Sequence, residues 1–162
     1  MKVFFSTLLT LLHCALCAQI SLIPHPAEFE RREGVFLLRD GASVWIPHDR
    51  PDWRLAAEAF VETAALSGGI RLHIREQIGA IETAQCDLFL IEASDLQPEA
   101  YRLTLAPVNA HIEAGAAAGA FYALQTLGQL FPPAFFQKNS VRGVRWAAPA
   151  CRIADAPRFS WR

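Results

Sequence analysis

Two hydrophobic periods run along this chain, one of two residues and one of three to four. Ile70-Arg-Leu-His-Ile-Arg75 alternates apolar and polar side chains without a break, which describes a strand with one face on a core and the other in water. Tyr101-Arg-Leu-Thr-Leu105 alternates in the same way. His111-Ile-Glu113 follows beyond Pro107, so these two runs are expected to pair as a hairpin. Leu88-Phe-Leu-Ile91 does not alternate and predicts a central strand covered on both faces. Nearer the start, Val35 to Leu38 and Val44 to Ile46 flank Asp40-Gly41, a dipeptide suited to a tight reversal.

The longer period appears twice. From Asp52 to Ser67, Trp53, Ala56, Phe60 and Ala64 share one helical face while Arg54, Glu58 and Glu62 share another. Pro51 suits the start of that helix and Gly68-Gly69 its stop. From Gly115 to Phe131 the core stripe reads Phe121, Leu124, Leu127 and Phe131, with Tyr122, Gln125 and Gln129 opposite, and Pro132-Pro133 ends the helix. Residues 134–145 read as an exposed loop, after which Trp146-Ala-Ala-Pro-Ala150 leads to the final segment. Two helices and five or six strands, in runs rather than strict alternation, predict an α+β fold: a mixed β-sheet with both helices packed on one face.

Composition agrees with one globular domain, since the 162 residues are 52% hydrophobic and 19% charged. A formal net charge of -1 leaves no cationic excess to neutralise phosphates, and no nucleic-acid partner is expected. The first residues place Lys2 before an apolar run that ends in small residues, the pattern of a secretory signal peptide over 1–18. Cleavage is expected to leave Gln19 first, with a cut after Cys17 as the alternative; neither cysteine stands in a lipoprotein context. The mature chain is therefore expected to be exported, periplasmic or secreted, and free of the membrane. It would keep Cys86 and Cys151, and a single bridge between them remains open.

Candidate chemistry is sparse. Histidines stand at 13, 25, 48, 73 and 111 without the close pairing of a metal site. His73 and His111 fall on polar strand faces and read as surface histidines. Gly115-Ala-Ala-Ala-Gly119 lies between a strand and a helix, yet has neither dinucleotide-binding nor P-loop spacing, and its small residues more simply allow close packing. Glu58 and Glu62 share a helix face, but it is the solvated one, so they read as solubilising charges rather than a glycosidase pair. No GxSxG elbow is present. The residues alone thus predict a non-catalytic domain: no catalytic residue, no cofactor-binding residue, no metal ligand and no cofactor.

The order of segments resembles the N-terminal, non-catalytic domain of β-N-acetylhexosaminidases of glycoside hydrolase family 20. Ile23-Pro-His-Pro26 followed by Gly34-Val-Phe36 is similar to the family's opening element. Tyr101 to Leu105 leading into Gly119-Ala-Phe-Tyr-Ala-Leu-Gln-Thr-Leu-Gly-Gln-Leu130 is similar to its strand-and-helix signature. Ile153 to Arg162 is similar to the junction that leads into the catalytic barrel. Beyond the signal peptide over 1–18, the resemblance implies a hexosaminidase-type domain over 19–151 and a junction over 152–162 to a (β/α)8 barrel as the domain's partner. It implies an exo-acting parent enzyme that releases terminal β-linked N-acetylhexosamine, with the substrate's acetamido group as nucleophile and an adjacent Asp-Glu pair in support. No Asp-Glu pair occurs here, and Arg158 and Arg162 precede or open the first barrel strand. No catalytic residue carries over, and the chain by itself is expected to be inactive. Trp146, Phe159 and Trp161 are expected to pack against the barrel and to be exposed without it, favouring self-association. Two alternatives stay open: the equivalent domain of another glycosidase, of α-glucuronidase or O-GlcNAc hydrolase type, and a stand-alone carbohydrate-binding module. For the latter Trp45, Trp53, Trp146 and Trp161 are the available aromatic platforms, three of them at expected core or interface positions.

Overall fold

The computed structural model describes residues 21–78, 87–139, 141 and 143–158. The expected signal peptide, Cys86, Phe159, Trp161 and Arg162 lie outside the described residues. The elements run β1 (Glu28–Leu37), β2 (Ser43–Pro47), α1 (Pro51–Gly68), β3 (His73–Gln77), β4 (Leu88–Glu92), β5 (Tyr101–Leu105), β6 (Ala110–Ala114), α2 (Ala117–Leu130), a 3-10 turn (Pro133–Phe136) and β7 (Ala147–Asp155). They form one mixed sheet of seven strands in the order β1-β7-β5-β6-β4-β2-β3. Strands β3, β2, β4 and β6 are mutually parallel, β5 pairs antiparallel with both β6 and β7, and β1 pairs antiparallel with β7. The α+β reading of a mixed sheet with two helices is what the structure has.

Burial explains why each element sits where it does. On α1, Trp53, Ala56, Phe60 and Ala64 are buried as their spacing predicts, and Gly69 ends the helix in the left-handed conformation at φ 62°, where only glycine avoids a steric cost. Val44, Ile46, Leu88, Leu90, Leu103, Leu105 and Ile112 are all at most 1% exposed. Together with both helices they make a single core. Burying each such side chain contributes about 1.5–3 kcal/mol. The expected hairpin forms in full register, Tyr101 opposite Ala114 through Leu105 opposite Ala110. The central strand is also confirmed: Leu88, Phe89 and Leu90 are fully buried between β2 and β6.

Four expectations need correction. The strands around Asp40-Gly41 do not pair with each other: β1 pairs with β7 and β2 with β3 and β4. The β1–β7 ribbon runs past the last β5 pair, Leu105 opposite Cys151, and its end reaches the start of β3. There Leu38 N–H donates to Trp146 O and Gly41 N–H to Arg71 O, so the turn carries the chain from one sheet edge toward the other. Phe121 is 37% exposed because the inward stripe of α2 is Ala120, Ala123, Leu124 and Leu127, rotated from the one expected. The 134–145 stretch is not all loop on the surface: Phe135, 1% exposed, plugs the space between the helices. Its ring centroid lies 5.3 Å from Phe60, 5.2 Å from Phe131 and 5.7 Å from Trp146. Trp146 itself is 6% exposed, a core residue of this domain and not an interface residue.

Strand β7 was the seventh strand beyond the five or six expected, and it continues through Cys151 to Asp155. Its Pro149 sits opposite Val35 in the ribbon beyond β5, where β7 has a hydrogen-bonded neighbour on one side only. That is where a strand tolerates a residue without an N–H.

Candidate functional site

In a sheet with parallel strands, the natural crevice lies outside the carboxyl ends where the connections diverge. Here β2 leads through α1 to β3 on one side while β4 lies on its other side, so the divergence falls between the ends of β2 and β4. The side chains there are charged. Arg50, the residue before α1, bonds both Asp52 oxygens at 3.2 Å and also bonds Glu92 at the end of β4. Its guanidinium also lies 5.7 Å from the Trp53 ring. Next to it Glu76 accepts from Arg54 at 2.8 Å and hydrogen-bonds His48 Nδ1 at 2.8 Å.

These contacts bridge the crevice and set its electrostatics. The hydrogen bonds that Arg50 donates to Asp52 and then to Glu92 push its pKa up, and Arg50 in turn holds the Asp52 carboxyl below its ordinary value. Arg54 first, then His48, does the same for Glu76. Two further surface pairs follow the rule: the Arg71 backbone N–H, then its side chain, lowers Asp40, and Arg102 lowers Asp95. A glycosidic general acid needs the opposite, a carboxyl whose pKa is raised so that it holds its proton near neutrality. This cluster instead joins β2, β3, β4 and α1 through ionised pairs.

The face of the sheet away from the helices carries a second ordered group. Arg75, Trp45, Phe89, His111, Thr104 and Arg152 stand opposite one another in register across β3, β2, β4, β6, β5 and β7. Trp45 and Phe89 stack at 6.5 Å, and Phe89 and His111 at 5.1 Å. Asp87, only 6% exposed, fixes the row from below: its carboxylate accepts from Ser43 N–H and Trp45 Nε1, both at 2.9 Å. Half-burial against Phe89 lowers the His111 pKa, chiefly through desolvation. Sequence reasoning missed this row, because its signal lies in register between strands and not in spacing along the chain.

The residues singled out from sequence are placed as follows. Glu58 and Glu62 are exposed on α1, and His73 is exposed on β3. Among the described residues no group of three His, Cys, Asp or Glu side chains is placed to hold a metal ion, and no helix is long and apolar enough to cross a membrane. Gly119 N–H donates to Pro98 O and Gly115 N–H to Ala100 O. A Cβ at Gly119 would lie 2.5 Å from Ala100 O, and one at Gly115 2.1 Å from Gln97 O. The glycines thus let the 97–100 loop sit against the start of α2, so the small-residue segment serves packing. Of the aromatic platforms among the described residues, Trp53 and Trp146 are buried in the core and Trp45 is partly exposed; Trp161 lies outside them. Cys151 is a buried free thiol whose pKa desolvation raises to about 11.

The sequence model of glycosyl hydrolase family 20, domain 2, matches residues 19–156. A β-N-acetylhexosaminidase of Cellulomonas fimi is 25% identical over 143 residues, covering 88% of this chain and 27% of the relative. A β-hexosaminidase of Akkermansia muciniphila is 37% identical over 71 residues, 44% of this chain and 13% of the relative. Among solved structures, the N-acetyl-β-hexosaminidase of Streptomyces plicatus superposes with a TM-score of 0.73 at 26% identity, covering 85% of this chain and 26% of that one. The family 20 β-N-acetylhexosaminidase of Streptomyces coelicolor A3(2) gives 0.72 at 26% identity with the same coverage. The chain therefore spans about a quarter of the length of those solved relatives. Segment order, seven-stranded fold and matched residues agree, and the chain belongs to glycosyl hydrolase family 20, of which it is domain 2.

Proposed function

We propose that this chain is the N-terminal, non-catalytic domain of an exo-β-N-acetylhexosaminidase, exported through a signal peptide over 1–18 and joined through 152–162 to a (β/α)8 catalytic barrel. The observation that carries the reading is the family match over 19–156 on a fold that superposes on about a quarter of the length of a solved hexosaminidase. On this reading the glycan substrate meets the barrel, and domain 2 supplies a rigid support. The downward-shifted carboxylates at the crevice support that role, since a paired, ionised acid is poorly suited to protonating a leaving group. Burial of Trp53 and Trp146 argues against a stand-alone carbohydrate-binding module, because aromatic platforms must face solvent to meet a sugar.

The test is the mass of the native polypeptide. An antibody against the folded domain, followed by peptide mass spectrometry, should detect a secreted protein about four times the length of this domain, as its share of the solved relatives implies, beginning near Gln19. A product with residues 1–18 retained would remove the export reading, and one lacking any segment after 162 would remove the assignment to a larger hydrolase.

A further inference from the structure

An open cleft of about 420 Å³ lies where three segments meet: the end of β1 with the residues after it, the C-terminal turn of α1, and the residues that lead into β7. Its size falls within the range of small-molecule sites. Leu38, Ile70 and Trp146, at 5%, 6% and 6% exposed, form an apolar floor. The helix side of the cleft is bare backbone. Gly68 and Gly69 stand there, and the Trp146 indole takes the space of a side chain at Gly68, where a Cβ would lie 2.6 Å from Nε1. The left-handed φ of 62° at Gly69 keeps the second position free of a side chain as well.

The rim carries opposed cations. Leu38 N–H donates to Trp146 O at 2.9 Å, and Arg39 and Arg145 each stand one residue beyond that bond on the facing chains, both exposed. Both line the cleft. Like charges on facing residues repel, and among the described residues neither guanidinium has a hydrogen bond or an acidic partner. The acid on the rim is Asp40, and Arg71 holds it: the Arg71 backbone N–H donates to Oδ1 at 2.7 Å and Nη2 donates to Oδ2 at 3.3 Å. The last carbonyls of α1 are engaged elsewhere. Those of Ala64 and Ala65 accept from Ile70 and Gly69 N–H, and that of Ser67 accepts from Val141 N–H. Two unpaired guanidinium forks over an apolar floor leave a place for an anion with an apolar body.

We propose that this cleft binds a small carboxylate carried on a ring of monosaccharide size, with Arg39 and Arg145 on the carboxylate and the ring over Ile70 and Trp146. A guanidinium pairs with a carboxylate through two parallel hydrogen bonds, and the apolar floor takes either the C–H face of a sugar ring or an aromatic ring. The site is separate from the charged crevice between β2 and β4 and from the Trp45 row. It goes beyond the reading above and does not depend on which domain follows this one.

Proton–nitrogen NMR spectra of the chain, recorded while each of four probes is titrated in, test this. Glucuronate joins a carboxylate to a sugar ring and benzoate joins one to an apolar ring; acetate has the carboxylate without a ring, and glucose the ring without charge. Glucuronate, benzoate or both are expected to give saturable shifts at Gly68, Gly69 and the Trp146 indole, about fivefold tighter than acetate or more because the ring covers apolar floor. The tighter of the two identifies the kind of ring. Glucose is expected to give no shift. Arg39→Gln and Arg145→Gln are each expected to weaken binding about tenfold, the loss of one charge-assisted pair, while Arg31→Gln, at an exposed arginine outside the cleft, leaves it unchanged. All three positions are exposed, so the variants keep the fold, and the unshifted remainder of each spectrum verifies it. No saturable shift with any carboxylate, binding no tighter than that of acetate, equal binding of glucose, or an equal loss in Arg31→Gln would each overturn the proposal while leaving the family assignment intact.

Discussion

Replacing Phe135 with alanine tests the packing that joins both helices to the β1–β7 ribbon. The ring is 1% exposed and touches Phe60 of α1, Phe131 at the end of α2, Trp146 before β7 and its neighbour Phe136, with centroids 5.2 to 5.7 Å apart. Truncating a buried phenylalanine costs about 3–5 kcal/mol, the upper end applying where the cavity cannot collapse. Collapse is blocked here, because the surrounding rings come from separate elements each anchored elsewhere. At about 3–5 °C per kcal/mol for a domain of this size, Tm should fall by about 10–20 °C. The control is Phe136→Ala, the next residue, which is 50% exposed and should cost about 1 kcal/mol or less. Both variants are compared by urea unfolding followed by far-UV circular dichroism. A loss below about 1 kcal/mol for Phe135→Ala, or equal losses for the two, would refute the claim that this turn seals the core.

Three further outcomes are expected. Gly119→Ala places a Cβ 2.5 Å from Ala100 O and should destabilise by about 2–3 kcal/mol as an overpacking change, measured by the same urea titration; a neutral result would mean that the 97–100 loop moves freely. Asp87→Ala strands the Ser43 and Trp45 N–H donors beneath the sheet, costing about 2–4 kcal/mol, with an altered near-UV tryptophan signal as the readout. Asp52, Glu76, Asp40 and Asp95 all have lowered pKa values in the folded state. Their contribution to stability is present above the ordinary carboxylate range and is lost as pH falls from about 4 through the lowered values. Thermal melts should therefore drop on acidification below about pH 4, and 1 M salt should reduce the difference, since these exposed pairs are screened; a salt-independent acid transition would contradict this.

The parts of the fold legible in the sequence are those in which one residue pattern meets one environment. Trp53, Ala56, Phe60 and Ala64 share a helix face against a single sheet, and Tyr101, Leu103 and Leu105 alternate because one side of β5 is core. Edge and ribbon segments broke the reading. The first half of β1, Glu28 to Glu33, is charged apart from Phe29 because it is an edge strand paired only with β7. Most of β7 itself is small or lacks an N–H, so neither strand advertises the other. Phe121 was misassigned because a core stripe was counted on large residues, whereas the close approach of α2 to the sheet selects Ala120 and Ala123. The resemblance to the family's barrel junction points to an interface for Trp146, yet Phe135 and Gly68 form its pocket. At the candidate site, the exposed position of Glu58 and Glu62 could be read from their helical spacing. The Arg50 bridge and the Trp45 row could not, since both depend on which strands lie side by side.

The central proposal, that this domain supports chemistry located elsewhere, is tested most directly by hydrolysis of a chromogenic N-acetyl-β-glucosaminide, with the chain from Gln19 to Arg162 assayed beside the longer polypeptide proposed to carry it. The account predicts turnover by the longer protein and none by the domain; turnover by the domain alone would contradict it and require a carboxyl pair that works despite the ionised clusters described above.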